Sequence, residues 1–377
     1  MIGDKFKVLH IFNEIKYSGA EIMYANAAHI FQERGIELLV FSTGEELGEY
    51  SKVFEENGIK CFHWPIQKKK INLSIKAIKK NFAFYKFLKN HKIDVLHIHR
   101  ADLYFLALVA KIAKIPTIKT IHNVHKNKIF TLPIAILTKF FARKLLKVKF
   151  QTIGKSVYTN ELYYYKNPSI IINNWYNNSK FYPLKNDSEK KELRTKLGIE
   201  QDKFVIVSVG NCSKVKNHHD IIKSLPLIKN KINIIYLHLG TGETEEEEKK
   251  LAIELGVYNK IKFMGNQKNV SEFLIMGDVF VMPSEYEGLG ISAIEAMACA
   301  LPVILYNVPG LRDLIKNANE GYLIEPNFTE LANNLLYISR NYTEAKAKGL
   351  KGYEKVKHSY SMEKNVMKII DLYRNDL

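Results

Sequence analysis

Short apolar runs alternate with amphipathic segments along most of this 377-residue chain. In the first half, runs rich in β-branched and aromatic residues predict strands at 7–12, 37–42, 59–63, 94–99 and 117–121. Helical periodicity between them predicts a helix that ends near residue 32 and further helices over about 45–57 and 103–113. Strands that alternate with helices in this way are typical of a parallel α/β sheet.

The second half repeats this alternation. Its predicted strands are 204–209, 232–239, 260–264, 279–282, 302–306 and 322–324, and its predicted helices are 186–198, 218–227, 245–255, 270–276, 329–350 and 361–373. A chain of this length exceeds one ordinary hydrophobic core, and the segment 176–183 is polar and rich in turn residues. We therefore predict domains at 1–175 and 186–377, a linker near 174–186, and a ligand-binding cleft between the domains.

The net charge of +17 is distributed unevenly. Residues 1–161 carry 27 Lys+Arg against 13 Asp+Glu, or +14, and the remainder carries 29 against 26, or +3. Two acid-free segments, 66–92 and 126–155, interleave basic and apolar residues. Such segments are typical of helices that bind anionic membranes, although helices that pack on a sheet and expose solvated lysines show the same pattern.

Neither a signal peptide nor an apolar run of membrane-spanning length is evident in the sequence. The three cysteines lack the spacing of a metal site. We therefore expect a cytoplasmic protein that lies peripherally on the inner face of the plasma membrane.

The stretch 284–298 follows an apolar run and contains a turn formed by Gly288, Leu289 and Gly290. A helix is predicted to begin after this turn, and the free N–H groups of a helix N-terminus suit a phosphate. Glu287 and Glu295 flank the turn. Carboxylates beside a phosphate suit the hydroxyl groups of a ribose or a sugar, so a nucleotide diphosphate sugar would fit every part. Alternatively, both glutamates are solvated residues of an ordinary strand–helix turn.

Other candidate residues follow predicted strands. Lys216 lies in a polar loop after the strand 204–209, where a cation suits a diphosphate. Gly19 follows the first strand, and glycine lets backbone amides approach a phosphate closely. His122 follows the strand 117–121. His99 ends the strand 94–99 and fits either an acceptor contact or a hydrogen-bonded core histidine.

The spacing Glu-x7-Glu from Glu287 to Glu295 resembles the motif of retaining glycosyltransferases of family 4, which have the GT-B fold. Lys216-Asn217 matches a further family element, in which Asn211 replaces the usual arginine and Lys214 is a candidate second cation. The loop at Ser18 and Gly19 is similar to the family's Gly-Gly-x-Glu loop, with Ser18 in place of the first glycine. The resemblance extends from Gly19 to Glu295 and is stronger in the C-terminal half.

This resemblance implies two Rossmann-like domains that face a central cleft, with the last helix, about 361–377, crossing back to the first domain. It implies that Glu295 holds the ribose hydroxyls and that Gly242 and Met264 lie beside the nucleotide base and ribose. The catalytic residues would be Glu287, which contacts the transferred sugar, Lys216, and His122, which faces that sugar. The chain contains no Asp-x-Asp pair, so we expect neither a metal nor another cofactor.

The function expected from the resemblance is retaining transfer of a hexose or N-acetylhexosamine from a nucleotide diphosphate sugar, a UDP-sugar in the first instance. The expected acceptor is a lipid-linked saccharide or polysaccharide of a bacterial surface glycan, such as capsule or lipopolysaccharide. Two alternatives remain open at this point. A polyanion- or nucleic-acid-binding protein of the same fold would leave the carboxylate pair unexplained. A GT-B nucleotide-sugar epimerase or a phosphorylase-like enzyme would act without a lipid acceptor.

Overall fold

The structure is a computed structural model that describes residues 5–66, 75–100, 104–124 and 129–375. The chain forms two compact units. The first unit contains the residues up to Trp175 and also those from Met362 onward, and the second contains Tyr176–Ser361. Residues 176–186, within the predicted linker, therefore belong to the second unit, where the N–H of Tyr176 donates to the Tyr360 carbonyl oxygen at 3.3 Å.

The first unit is a parallel sheet with helices. Its strands are β1 (Phe6–Phe12), β2 (Ile36–Ser42), β3 (Lys60–His63), β4 (Val95–Ile98), β5 (Thr117–Ile121), β6 (Lys149–Thr152) and β7 (Ile170–Ile171). They are ordered β3-β2-β1-β4-β5-β6-β7. Its helices are α1 (Gly19–Asn26), α2 (Ala28–Glu33), α3 (Ser51–Glu56), α4 (Ile75–Asn90), α5 (Tyr104–Ile112), α6 (Leu132–Lys144), α7 (Lys155–Thr159) and the last helix, α15 (Met362–Arg374).

Apolar side chains cover both faces of this first sheet. Val8 belongs to one core cluster and its neighbour Leu9 to another, because successive side chains of a strand point to opposite faces of the sheet. Burial on both faces explains why these strands are nearly continuous apolar runs. Val366 and Ile369 of α15 lie in the same cluster as Val8, so the last helix packs on the first unit.

The second unit has the same architecture. Its strands are β8 (Phe204–Val209), β9 (Ile234–Leu239), β10 (Ile261–Gly265), β11 (Val279–Met282), β12 (Val303–Tyr306) and β13 (Tyr322–Ile324), ordered β10-β9-β8-β11-β12-β13. Its helices are α8 (Asp187–Lys196), α9 (His218–Ile228), α10 (Glu245–Glu254), α11 (Val270–Met276), α12 (Ile291–Ala298), α13 (Phe328–Arg340) and α14 (Tyr342–Ser359). All strand pairs in this sheet are parallel.

The strand order reverses once in each sheet, between β1 and β4 and between β8 and β11. Ligands of doubly wound sheets bind beyond the carboxyl ends of the strands at such switch points. The loops that follow β8 and β11 are therefore the first place to look for a site in the second unit, and those that follow β1 and β4 in the first.

The structure differs from the predicted elements in several places. The helix predicted over about 45–57 begins only at Ser51, and β7 was not predicted. The segment 126–155 was predicted to be a basic helix, but α6 ends at Lys144 and β6 follows, while residues 125–128 lie outside the described part. The predicted helix 329–350 is two helices, because Asn341 leaves the helical conformation at φ −121° and ψ 45°. Within the described ranges, no helix is both long enough and apolar enough to cross a membrane.

Candidate functional site

The loops after β8 and β11 meet through an ion pair. The Lys216 Nζ lies 2.6 Å from Oε1 of Glu287, and the Ser284 hydroxyl donates to the same oxygen at 2.9 Å. The backbone N–H of Glu285 donates to the Val215 carbonyl oxygen at 2.8 Å. The predicted cation and carboxylate are therefore neighbours at the switch point, although 71 positions separate them in the chain.

Asn217 fixes the chain direction directly after Lys216. It has a left-handed backbone, with φ 52° and ψ 41°, and precedes the first residue of α9. Its side-chain amide donates to the Pro283 carbonyl oxygen at 3.3 Å and to Asp220 Oδ2 at 3.0 Å. Asparagine tolerates this conformation better than most residues, so Asn217 both turns the loop and ties it to the end of β11.

Two glycines allow the close packing around Glu287. Gly310 has φ +88°, and a Cβ there would lie 2.3 Å from the Glu287 carbonyl oxygen. Gly290 has φ +71°, and a Cβ there would lie 2.6 Å from Cδ2 of Leu311. The Glu287 N–H also donates to the Pro309 carbonyl oxygen at 3.0 Å. Pro309 and Gly310 therefore pack directly against the backbone of Glu287.

The turn from Gly288 to Gly290 leads into α12, whose N-terminus lies beside the end of β8. The Ser292 hydroxyl donates to the Val209 carbonyl oxygen at 3.0 Å. Leu289 is buried, with 2% of its surface exposed, so its side chain serves the core and only its backbone is available to a ligand. The first N–H groups of α12 face the same switch point as Lys216, an arrangement that suits an anion.

Glu295 lies in the second turn of α12 and is half-buried. Its carboxyl group makes no hydrogen bond or ion pair with the described residues. Burial raises its pKa to about 8, against the opposing charge of Lys180. In the ligand-free protein Glu295 is therefore largely protonated at neutral pH, and a ligand hydroxyl would give this carboxyl the partner that it lacks.

Glycines also bring the ends of β8, β9 and β10 together. The Gly240 N–H donates to the Gly265 carbonyl oxygen at 2.9 Å, and a Cβ at Gly242 would lie 2.3 Å from the Cys212 carbonyl oxygen. Gly242 is exposed and Met264 is half-buried beside these loops. These two residues therefore border the same end of the sheet as Lys216.

The remaining predicted cation and its neighbour are solvent-exposed. Asn211 and Lys214 are both exposed, and neither side chain makes a hydrogen bond or ion pair with a residue that the structure describes. The structure thus distinguishes Lys214 from Lys216, which is engaged at the switch point.

In the first unit, Gly19 is the first residue of α1, and it is exposed. Its φ is not among the positive values of the chain, so its backbone does not require glycine. Ser18 precedes the helix, and its hydroxyl donates to the carboxyl group of Glu21. Burial raises the pKa of Glu21. The predicted loop therefore presents a helix N-terminus, while Ser18 serves a buried acid.

His122 and His99 lie together at the carboxyl ends of β5 and β4. Nε2 of His122 is 3.0 Å from Nδ1 of His99, whose Nε2 is 2.9 Å from Nδ1 of His10. Burial lowers the pKa of His122 to about 4 and that of His99 well below its usual value. Both rings are therefore neutral at physiological pH, and His99 is hydrogen-bonded on both nitrogens.

Two groups of described side chains bring metal-ligating atoms close together, namely His10, His97 and His99 in the first unit and Cys212, His238 and Glu248 in the second. In the second group, Nε2 of His238 lies 2.8 Å from Glu248, whose other oxygen accepts from Thr244 at 2.7 Å. The histidines of the first group are hydrogen-bonded to one another and to Tyr373. Hydrogen bonds hold the neighbouring atoms of both groups, while Nδ1 of His238 has no partner among the described residues. Metal independence stays a prediction.

Sequence reasoning missed several residues that hold these sites. Ser284 precedes Glu287 by three positions, a local signal that could have been used. Lys180 was assigned to a linker, yet it is the charge that acts on Glu295. Tyr373 lies 276 positions from its partner His97, and no local pattern indicates that contact.

The basic segments need one correction. Either interpretation of the segment 126–155 places its lysines on an exposed face, but Nζ of Lys139 is 2.5 Å from Glu161 Oε1 and 3.8 Å from the centre of the Tyr165 ring. Lys139 is therefore an internal ion-pair partner. In the segment 66–92, residues 67–74 lie outside the described part of the chain.

The sequence matches two protein-family models. Residues 189–355 match "Glycosyl transferases group 1" and residues 17–150 match "Glycosyltransferase Family 4". The chain is 27% identical over 329 residues, 84% of either chain, to an Escherichia coli UDP-Gal:alpha-D-GlcNAc-diphosphoundecaprenol alpha-1,3-galactosyltransferase.

A second relative is the Campylobacter jejuni N,N'-diacetylbacillosaminyl-diphospho-undecaprenol alpha-1,3-N-acetylgalactosaminyltransferase. It is 25% identical over 321 residues, 81% of this chain and 83% of the relative. Among solved structures, Anabaena HepE in complex with UDP-glucose superposes with a TM-score of 0.82 at 18% identity, over 97% of this chain and 98% of HepE. The predicted GT-B fold class is confirmed. The chain belongs to the group 1 glycosyltransferases of the family 4 type.

Proposed function

We propose that this glycosyltransferase moves a hexose or N-acetylhexosamine from a UDP-sugar to a lipid-diphosphate-linked saccharide, with retention of anomeric configuration and without a metal. The observation that carries the proposal is the pairing of Lys216 with Glu287 beside the N-terminus of α12. A cation and free backbone N–H groups at one switch point suit the diphosphate of a nucleotide sugar.

The same arrangement suits the chemistry of the leaving group. When the bond between the anomeric carbon and the diphosphate oxygen breaks, negative charge develops on the departing diphosphate. Lys216 and the start of α12 would stabilise that charge without reorganisation, because both are fixed before the donor binds. The acceptor oxygen forms the new bond to the anomeric carbon, its proton passes to the diphosphate, and UDP leaves.

Glu295 and Glu287 would hold hydroxyl groups in this proposal. Glu295 has no partner among the described residues and would accept from the ribose. Glu287 already accepts from Ser284 and Lys216 through Oε1, which leaves Oε2 for the transferred sugar. A nucleic-acid-binding protein would gain nothing from two carboxyl groups at this position.

The comparisons support the choice of donor and acceptor. The name of the Escherichia coli relative specifies a UDP-sugar donor and a diphosphoundecaprenol acceptor, and the Campylobacter relative acts on another diphospho-undecaprenol saccharide. The Anabaena structure contains UDP-glucose. We infer an acceptor of the same chemical class, a saccharide on a polyprenyl diphosphate, as used for bacterial surface glycans.

An acceptor of this kind lies in a membrane, and the first unit has a surface that fits one. We define the α5–α6 patch as the exposed side chains of Leu108, Ile112, Phe141 and Leu145. Ile112 and Leu145 are 64% and 60% exposed. Nζ of Lys111 donates to the Leu145 carbonyl oxygen at 2.5 Å, so the ends of α5 and α6 are neighbours.

Exposed lysines lie next to the patch residues in the sequence, namely Lys111, Lys114, Lys144 and Lys147. Ile134 and Leu137 extend the exposed apolar surface along α6. Apolar side chains that enter the bilayer boundary and lysines that attract anionic lipid act together in peripheral proteins. We therefore propose that the enzyme docks on the inner face of the plasma membrane through this patch.

The proposal is tested by incubating the protein with UDP-linked glucose, galactose, GlcNAc and GalNAc and a polyprenyl-diphosphate GlcNAc acceptor in EDTA. We expect one sugar to be transferred and one equivalent of UDP to be released. Because the configuration is retained, an α-linked donor should give an α-linked product. Transfer with inversion would refute retention, and conversion of the donor to its epimer without transfer would favour the epimerase alternative.

A further inference from the structure

The histidines at the carboxyl ends of β4 and β5 belong to a continuous hydrogen-bonded chain. Nε2 of His122 contacts Nδ1 of His99 at 3.0 Å, and Nε2 of His99 contacts Nδ1 of His10 at 2.9 Å. Nε2 of His10 lies 3.3 Å from the hydroxyl oxygen of Tyr373 in α15. The last helix therefore places a hydroxyl group inside this network.

The chain continues from Tyr373 into the sheet. Its hydroxyl lies 2.7 Å from Nδ1 of His97, whose Nε2 lies 2.6 Å from Oγ1 of Thr120. The Thr120 hydroxyl contacts Oε1 of Gln151, and Nε2 of Gln151 lies 2.9 Å from the Ile172 carbonyl oxygen. The side chains of Tyr373, His97, Thr120 and Gln151 are buried, and these contacts give each of them hydrogen-bond partners.

The hydrogen-bonded chain ends at the Ile172 carbonyl oxygen, and this end determines which atom donates in each hydrogen bond. A carbonyl oxygen can only accept, so the NH2 group of Gln151 faces Ile172 and its Oε1 faces Thr120. The Thr120 hydroxyl must then donate its one proton to Gln151. Nε2 of His97 can contact Thr120 only as a donor, which makes Nδ1 of a neutral His97 an acceptor.

The same logic passes from ring to ring. Tyr373 donates to Nδ1 of His97, so its oxygen accepts from Nε2–H of His10. Nδ1 of His10 then accepts from His99, and Nδ1 of His99 accepts from Nε2–H of His122. Each step requires a neutral ring with one N–H. Burial meets this requirement, because it lowers the pKa of His10 to about 3 and that of His97 well below its usual value.

The chain leaves His122 with its proton on Nε2 and a lone pair on Nδ1. His122 is half-buried, and its Nδ1 has no hydrogen-bond partner among the described residues. We propose that Tyr373 is a positioning residue that fixes His122 in the Nε2–H tautomer, so that Nδ1 accepts a hydrogen bond from a sugar hydroxyl group. The identity of that ligand rests on the proposed function, whereas the tautomer follows from the chain itself.

Among the described residues, the Tyr373 hydroxyl links the two arms of the hydrogen-bonded chain, and it also exchanges a hydrogen bond with the Tyr24 hydroxyl. Without it, His97 remains fixed by Thr120, but His10, His99 and His122 lose the constraint that sets their tautomers. A phenylalanine would keep the ring in its apolar surroundings, where Val366 and Ile369 of the same helix also lie. Tyr373→Phe therefore separates the hydrogen bond from the packing of α15.

The experiment combines long-range 1H–15N NMR of histidine-labelled enzyme with steady-state kinetics. His122→Gln assigns the His122 signal. The wild-type enzyme is expected to show protonated Nε2 and unprotonated Nδ1 at His122. In Tyr373→Phe we expect a mixture of tautomers and a fall in kcat of about tenfold or more, since a wrong tautomer removes the acceptor, with KM for the UDP-sugar unchanged within about twofold.

A second pair of variants guards against misfolding. Thr120→Val should release His97 from its fixed tautomer and lower kcat. Thr120→Ser keeps the hydroxyl group and should leave both the His97 tautomer and kcat as in the wild type. Tyr342→Phe is the matched control, because it removes a tyrosine hydroxyl 3.2 Å from Lys190 in the second unit. This control should alter neither the His122 signal nor kcat.

The positioning role is wrong if wild-type His122 carries its proton on Nδ1, or if Tyr373→Phe changes neither the tautomer nor kcat. Failure of the proposed function has a different result. In that case the wild-type enzyme would transfer no sugar from any UDP-sugar, while the NMR signals would still decide the direction of the chain.

Discussion

Lys216 is the residue on which the proposed chemistry depends most. It is partly shielded and already paired with Glu287, whereas Lys214, two positions earlier, is exposed and unengaged among the described residues. A cation fixed by an ion pair and by the loop backbone costs less to order when the diphosphate binds. The absence of the family's usual arginine at Asn211 makes this one lysine more important.

We predict that Lys216→Ala lowers kcat by about 100-fold or more, because it removes one preorganised group that stabilises the leaving diphosphate. Lys214→Ala is the matched control, and we expect its kcat to stay within about threefold of the wild type, as for an exposed charge. Initial rates at saturating donor provide the measurement. Equal losses in both variants would mean that Lys214 supplies the missing arginine charge.

Glu295 should make stability and donor binding depend on pH. The folded-state pKa of about 8 exceeds the ordinary value of 4.5, so the folded protein holds an extra proton between these values. The contribution of Glu295 to stability is therefore lost as pH rises from about 4.5 to 8. Glu295→Gln should gain thermal stability relative to the wild type by a few degrees between pH 6 and pH 8.5.

Donor binding should show the opposite trend at the same residue. If the ribose hydroxyls donate to an ionised Glu295, the affinity of the wild-type enzyme for UDP rises between pH 7 and pH 8.5, and binding releases a proton. Calorimetry in two buffers of different ionisation enthalpy measures that proton. An equal pH dependence in Glu295→Gln would show that another group is responsible.

Among the elements, the turn before α12 depends on glycine for two separate reasons. Gly290 has a positive φ, and a Cβ there would collide with Leu311 at 2.6 Å. Gly198 also has a positive φ, +61°, but nothing lies within 4 Å of its Cβ position. The two glycines therefore separate backbone strain from steric collision.

We predict that Gly198→Ala costs about 1 kcal/mol of unfolding free energy, the strain of a left-handed alanine. Gly290→Ala should cost about 2–4 kcal/mol and should also weaken UDP binding, because Leu311 or the start of α12 must move. Thermal unfolding and calorimetry on both variants provide the comparison. If the two stabilities fall equally, the collision at Leu311 is relieved without cost.

The α5–α6 patch is the second element with a testable role. We predict that Phe141→Ser combined with Leu145→Ser lowers the recovery of protein with vesicles of phosphatidylglycerol in a flotation assay. The loss of two apolar side chains weakens the free energy of membrane binding by about 2–4 kcal/mol, because less apolar surface is buried at the bilayer boundary. Ile253→Ser on α10 is the control, because Ile253 is 63% exposed but lies in the second unit.

Recovery of the double variant at the wild-type level would contradict docking through this patch. Recovery of the wild type that is equal on phosphatidylglycerol and on phosphatidylcholine would contradict the role of the surrounding lysines. Transfer to a short-chain, water-soluble acceptor should be unaffected in the double variant, which separates membrane docking from catalysis.

For the whole molecule, the sequence predicts the fold better than it predicts the site. Strands buried on both faces are apolar runs, so β1, β2, β8 and β9 could be recognised directly. β6 was missed because Lys149, Gln151 and Thr152 are polar. Gln151 and Thr152 are nevertheless buried, and the Gln151 side chain is hydrogen-bonded to the Ile172 carbonyl oxygen.

The two units also differ in how far their sites could be predicted. Lys216 and Glu287 lie in loops directly after predicted strands, and the order of those strands brings the loops together. The environment of His122 depends on Tyr373 and His10, which are distant in sequence from it and from each other. Only the packing of α15 against the first sheet creates that contact.

A thermal-shift titration of the wild type and Lys216→Ala with UDP- and GDP-sugars in EDTA tests directly whether Lys216 holds the diphosphate of a UDP-sugar. A donor at 100 times its dissociation constant stabilises the folded protein by about 2.7 kcal/mol, which corresponds to a shift of several degrees. We expect a UDP-sugar to produce this shift in the wild type and to produce little or none in Lys216→Ala. No shift with any UDP-sugar, a shift only after a divalent metal is added, or an equal shift in both proteins would rule out a metal-free UDP-sugar site that depends on Lys216.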